Sequence, residues 1–168
     1  MASLTPSEKS IYNSNGNYTI VFTPQHSVAT TNKIIIEFPS TISILQNSAC
    51  IVSDVDGVTI ATATCNSDSA TNKITIAKFV TTKLVAETQI TLTIDSIENP
   101  GNFKSPGELT ITMLSSEDGM IDSGTYTIPS GLYEGTYIKY FSVTPESSQA
   151  GKYPVSYKFE VVPLQRVA

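Results

Sequence analysis

The chain has 168 residues and a mass of 18.1 kDa; 40% of it is hydrophobic and 15% charged, with a net charge of -5 and a pI near 4.8. That is room for one large or two small domains with a proper apolar core. The acidic balance leaves no basic stripe to replace the counterions on nucleic-acid phosphate and nothing to hold an anionic membrane, and no stretch approaches the roughly 20 apolar residues of a membrane span.

In chain order, the first clear strand is Tyr18-Thr19-Ile20-Val21-Phe22, which alternates apolar and polar and stops at Pro24. Asn17-Tyr18-Thr19 also fits the N-glycosylation pattern, so Asn17 is a candidate glycan site in a secreted chain. Ile34, Ile36 and Phe38 alternate with Ile35 and Glu37 up to Pro39. Residues Cys50 to Ser53 and Val58 to Cys65 flank Asp54-Val55-Asp56-Gly57, which predicts a hairpin that brings the two sulfurs together as a disulfide. The alternative for Cys50 and Cys65 is a pair of small buried thiols.

Further along, Lys73-Ile74-Thr75-Ile76, Ile90-Thr91-Leu92-Thr93-Ile94 and Leu109-Thr110-Ile111-Thr112-Met113 each put apolar residues on one face and threonines on the other. Turn clusters separate them at Asn66-Ser67-Asp68-Ser69, Asn99-Pro100-Gly101-Asn102 and Glu117-Asp118-Gly119. Between residues 78 and 88 the sequence predicts a loop with at most one helical turn. Such strands specify an all-β fold, an immunoglobulin-like antiparallel β-sandwich, although the chain has no tryptophan and its cysteines are too close in sequence to bridge two sheets in the usual way.

The segment 129–135, with Pro129, Gly131 and Gly135, reads as a linker between a sandwich over 1–128 and a shorter piece over 136–168. That piece predicts two strands, Tyr137 to Val143 and Tyr153 to Val161. In the second, Tyr153, Val155, Tyr157, Phe159 and Val161 share one face, and Pro154, Ser156, Lys158 and Glu160 the other. The piece also repeats the chain's opening at a constant spacing of 139 residues: Ser3, Thr5, Pro6, Tyr18, Pro24, Val28 and Ala29 recur as Ser142, Thr144, Pro145, Tyr157, Pro163, Val167 and Ala168. The expected fold is therefore a sandwich followed by an incomplete second copy.

Two strands cannot cover the apolar face of Tyr157, Phe159 and Val161 by themselves. They would add to the first domain, form the cut edge of a tandem array, or insert into a neighbouring subunit as a donated strand. The third solution resembles bacterial pilus subunits assembled by donor-strand exchange, in which an incomplete immunoglobulin-like sandwich takes a strand from the next subunit; there the donor is usually N-terminal, and here it is C-terminal. The resemblance implies an extracellular structural subunit that binds copies of itself head to tail.

Serine and threonine make up roughly a quarter of the chain, a mix of β-rich extracellular proteins. Met1 to Pro6 lacks the regions of a signal peptide, so a secreted form would have lost its signal or carry it ahead of Met1. The second reading is a cell-surface adhesin or carbohydrate-binding module, with Tyr133, Tyr137 and Tyr140 as an aromatic platform for a sugar. No catalytic, metal or cofactor site is expected. His26, the sole histidine, falls in a loop with no assigned task, and Asp54 and Asp56 with Gly57 lack the later glutamate of a full calcium loop.

Overall fold

A computed structural model describes residues 2–11, 16–45, 50–53, 63–102, 104–134, 138–145 and 156–163. The chain divides into two compact units, Met1–Glu134 and Gly135–Ala168.

Among the described residues, unit 1 holds ten strands: β1 (Ala2–Pro6), β2 (Gly16–Phe22), β3 (Lys33–Glu37), β4 (Ser43–Ile44), β5 (Cys50–Ser53), β6 (Thr64–Asp68), β7 (Lys73–Ala77), β8 (Ile90–Glu98), β9 (Gly107–Leu114) and β10 (Met120–Ile128). One sheet runs β1-β2-β8, with the short strands β4 and β5 following each other along the free edge of β8; the other runs β10-β9-β3-β7-β6. Counted along the chain, β1, β2, β8 and β4/β5 take the places of strands A, B, E and D of an immunoglobulin sandwich, and β3, β9 and β10 those of C, F and G. The hairpin β6–β7 is inserted between D and E and widens the second sheet beside β3.

The period-two pattern decides which side chains face inward. Tyr18, Ile20 and Phe22 of β2, Ile34 and Ile36 of β3, Ile74 and Ile76 of β7, Ile90, Leu92 and Ile94 of β8, and Leu109, Ile111 and Met113 of β9 meet in one core. Each such side chain contributes about 1.5–3 kcal/mol by leaving water. Ile97 belongs to that core although it is an odd number of residues from Ile94. The ladder between β2 and β8 shifts register there, Tyr18 lying opposite Ile94 and Gly16 opposite Ile97, with Ser96 at φ 56°. This bulge resets the strand's parity so that Ile97 turns inward.

Asn72, at φ 57° in the β6–β7 turn, ties the second sheet to the stretch after β3. Its Nδ2 donates to the carbonyls of Phe38, Pro39 and Ile42 at 3.1, 3.0 and 2.7 Å, and its Oδ1 accepts from the amide of Ile44 at 3.1 Å.

Several expectations are corrected here. Cys50–Ser53 and Thr64–Asp68 do not pair as a hairpin: β5 lies on β8 in one sheet and β6 on β7 in the other, so the two cysteine-bearing strands edge opposite sheets. The Asp-Gly signal is local and says nothing about which sheet each flanking strand joins; residues 54–62 fall outside the described ones. Asn66, Ser67 and Asp68 are strand, and the turn follows at residues 69–72, where Asp68 accepts from the Ala70 amide and the Thr71 hydroxyl. β10 had no sequence signal, because only Ile128 of this edge strand is buried and the rest is exposed or half-buried, so no apolar alternation is required. The loop over 78–88 carries no helical turn; it buries Phe79 and Val80 and bridges Leu84 to Val28.

The described residues of unit 2 include β11 (Ile138–Pro145) and β12 (Tyr157–Pro163), paired antiparallel.

Candidate functional site

The C-terminal hairpin copies the opening of unit 1 pair by pair. In β1–β2 the facing residues are Ala2 and Phe22, Ser3 and Val21, Leu4 and Ile20, Thr5 and Thr19, Pro6 and Tyr18. In β11–β12 they are Phe141 and Val161, Ser142 and Glu160, Val143 and Phe159, Thr144 and Lys158, Pro145 and Tyr157. Adding the 139-residue spacing to each member of the first set gives the second set without a slip. Because a slip of one residue would send every side chain to the opposite face, shared register means shared faces.

The two copies differ in what covers them. Leu4, Tyr18 and Ile20 are buried in unit 1, Tyr18 and Ile20 completely. Their counterparts Val143, Tyr157 and Phe159 are 45%, 56% and 66% exposed. On the other side of the hairpin, Ser142 faces Glu160 and Thr144 faces Lys158, a polar surface suited to water. The expected apolar strand is thus present from Tyr157; Tyr153 and Val155 lie outside the described residues, and Val161 is fixed only by its backbone pairing with Phe141.

The covered copy shows what such a strand requires. The Tyr18 hydroxyl donates to Asn99 Oδ1 at 2.6 Å and accepts from the Tyr133 hydroxyl at 2.7 Å. Asn99 Nδ2 donates to the carbonyls of Glu8 and Ser10, both at 2.7 Å. Burial, reinforced by the contact with Tyr133, raises the Tyr18 phenol far above its ordinary range; burial raises Tyr133 to about 12 against the opposing effect of its bond to Tyr18. Both are therefore neutral hydrogen-bonding groups. The Tyr18 ring also meets Phe38 edge-on at 6.1 Å between centroids.

This network revises the expected linker and the expected sugar platform. Tyr133 is 2% exposed and belongs to the core, and Glu134 exchanges backbone hydrogen bonds with Lys9 and Ile11, so residues 129–134 are part of unit 1. The platform loses Tyr133 for the same reason: its ring and hydroxyl are used inside. Tyr137 lies outside the described residues, and Tyr140 is placed by backbone pairing only, opposite Val162.

The other singled-out residues are scattered. Asn17 is exposed on β2, its backbone paired with Ser7. Cys50 faces Ile94 across one ladder and Cys65 faces Ile76 across the other, with Cys65 packed partly against the core. His26 has a partner the sequence did not announce: its Nδ1 lies 2.5 Å from Asp122 Oδ1, and its amide donates to Asp122 Oδ2 at 3.0 Å. Burial alone would raise the Asp122 carboxyl, but the bonds from His26 outweigh it and hold the carboxyl below its ordinary range. Asp54, Asp56 and Gly57 fall outside the described residues, and among the described ones no group of His, Cys, Asp or Glu is placed to hold a metal ion. No helix among the described residues is long and apolar enough to cross a membrane.

No known protein family matches the chain, and no curated protein matches it. Solved structures do. Domains D2 and D3 of the major pilin SpaD from Corynebacterium diphtheriae match 76% of this chain and 50% of their own at 14% identity, with a TM-score of 0.47. BcpA, the major pilin subunit of Bacillus cereus, matches at 11% identity over 74% of this chain and 38% of its own, with a TM-score of 0.41. A collagen-binding domain from a Staphylococcus aureus adhesin matches at 8% identity over 75% of this chain and 95% of its own, with a TM-score of 0.37. The chain spans half or less of the two pilin chains. Likeness at this level leaves the fold to rest on strand order and register.

Proposed function

We propose that this protein is a structural component of an extracellular fibre or surface stalk built from immunoglobulin-like sandwiches joined head to tail by β-strand completion. Unit 1 is one finished sandwich, and the hairpin β11–β12 is the first strand pair of the next. The observation that carries this reading is the shared register of β1–β2 and β11–β12 with opposite exposure of the shared apolar face. Val143, Tyr157 and Phe159 await strands equivalent to β3–β10, supplied in sequence or by another copy. A non-enzymatic role and a surface location accord with the fold and with the serine- and threonine-rich, sparsely charged composition.

Donation of the hairpin into a finished unit 1 of another copy is the less favourable geometry. There it would have to displace β1–β2, and Val155 would replace Gly16, where a Cβ already falls 3.1 Å from the carbonyl oxygen of Ile97. An unbranched methyl is tight at that distance, and a valine requires the β8 backbone to move.

Analytical ultracentrifugation and electron microscopy of the intact chain, of residues 1–134, and of the intact chain with Phe159→Lys test the proposal. Self-association in the intact chain alone supports completion by another copy. A monomer that binds a separately produced sandwich lacking strands A and B supports completion in sequence. A monomer that binds neither, or equal association by residues 1–134, sinks the role given to the hairpin.

A further inference from the structure

One end of unit 1 carries a groove of about 200 Å³ between the start of β1, the end of β2 and the edge strand β10. Its floor is apolar, with Ala2, Phe22, Ile111 and Met113, and its rim includes Thr23, Pro24, Gln25 and Asp122. The internal copy runs further at the corresponding end. β1 begins at Ala2, but its counterpart β11 begins at Ile138, three residues ahead of Phe141, the counterpart of Ala2. Those extra residues continue the ladder past a register irregularity, Tyr140 opposite Val162 and Ile138 opposite Pro163. Val162 and Pro163 correspond to Thr23 and Pro24, which line the groove.

We infer that the groove is the seat of an extended segment entering β1 from its N-terminal side, an aliphatic, basic and aromatic trio like Ile138-Lys139-Tyr140. The segment continues strand A, pairs with Thr23 and Pro24, and closes the sandwich between β1 and β10. By register the aromatic member falls opposite Thr23, on the face away from Phe22, while the aliphatic member, past the register irregularity, falls opposite the buried Pro24 and suits the floor of Phe22, Ile111 and Met113. Asp122, bonded to His26, stands at the rim and adds negative charge on the side where the basic member of the trio enters. The inference rests on the hairpin being a copy of β1–β2. It assigns a second docking place, at the start of strand A of unit 1, to an extended peptide of that composition.

The test addresses unit 1 and leaves the hairpin untouched. In the full chain, Met1 is replaced by tyrosine preceded by isoleucine and lysine after the initiator, and a control carries serine and glycine in the same places. Occupation of the groove predicts a thermal midpoint for unit 1 about 3–5 °C above the control and exchange of the Thr23 amide slowed at least tenfold. Gly124→Leu, at a lining position where an added Cβ meets nothing within 4 Å, projects bulk into the groove and should remove both effects, with unit 1's own unfolding midpoint in the control background reporting that the fold is retained. Equal midpoints and unchanged Thr23 exchange overturn the inference, as does a gain that survives Gly124→Leu. Either result leaves the completion of β11–β12 standing, since that is read from self-association.

Discussion

The hydroxyls of Tyr18 and Tyr133 lie 2.7 Å apart inside unit 1, joining the second strand of the sandwich to the last residues before its exit. Tyr18 donates to Asn99, so its bond with Tyr133 is one it accepts. Removing the Tyr18 hydroxyl leaves two partners short, and removing that of Tyr133 leaves one. Tyr18→Phe should therefore cost about 2–3 kcal/mol and Tyr133→Phe about 1 kcal/mol, measured by urea unfolding of the intact chain.

The same pair contributes stability that is lost at alkaline pH. Folding raises both phenols, so the neutral form is the one the native state favours. Their contribution is fully present below the unfolded value of about 10 and is lost as pH rises toward the folded values, about 12 for Tyr133. Unfolding followed from pH 8 to 12 should show stability level to about pH 10 and falling above it. Tyr133→Phe should make that fall shallower.

The Asp122 carboxyl behaves in the opposite sense. It is held below its ordinary range, so its bonds with His26 stabilise the fold above the unfolded value of about 4 and are lost as pH falls through the lower native one. Acid unfolding of the parent should be steeper below pH 4 than that of Asp122→Asn. Near neutrality Asp122→Ala should cost about 1 kcal/mol.

Copied register with opposite exposure allows a paired comparison. Ile20→Ala, at a fully buried position, should cost about 2–5 kcal/mol in unit 1. Phe159→Ala, at the equivalent exposed position, should stay within about 0.5 kcal/mol in the uncompleted chain. Once the second sandwich is completed, Phe159→Ala should become as costly as a core truncation. Thermal unfolding with and without the completing strands reads the difference.

A disulfide between Cys50 and Cys65 would link the edges of opposite sheets rather than the arms of a hairpin. Intact mass under non-reducing and reducing conditions should differ by about 2 Da, and reduction should lower stability by roughly 3 kcal/mol for a loop of this size. An unchanged mass removes the bridge.

How much the residues disclosed depended on whether a neighbour in sequence or a neighbour in space decided the outcome. Tyr18 to Phe22, Ile34 to Phe38, Ile90 to Ile94 and Leu109 to Met113 were readable because each strand's own alternation matches its burial. Met120–Ile128 was not, since Ile128 is its sole buried residue and the rest of the strand has no apolar face to reveal. Tyr133 looked like linker because its partner is 115 positions away, and Asp122 gave no sign of His26 because they are 96 apart. The repeat was visible in letters and parity, but the pairwise identity of the ladders required both hairpins to be seen folded.

The junction of Lys9–Ile11 with Glu134 has a mechanical meaning. Ser10 and Glu134 bridge in parallel, with the Ile11 amide donating to the Glu134 carbonyl at 3.3 Å and the Glu134 amide to the Lys9 carbonyl at 2.7 Å. When a parallel pair is pulled by the leading end of one segment and the trailing end of the other, the segments must slide past each other, so the bonds share the load instead of opening in succession. Tension crossing unit 1 from end to end would meet this junction as shear, with Asn99 holding Glu8 and Ser10 from beneath and Tyr133 anchored beside it.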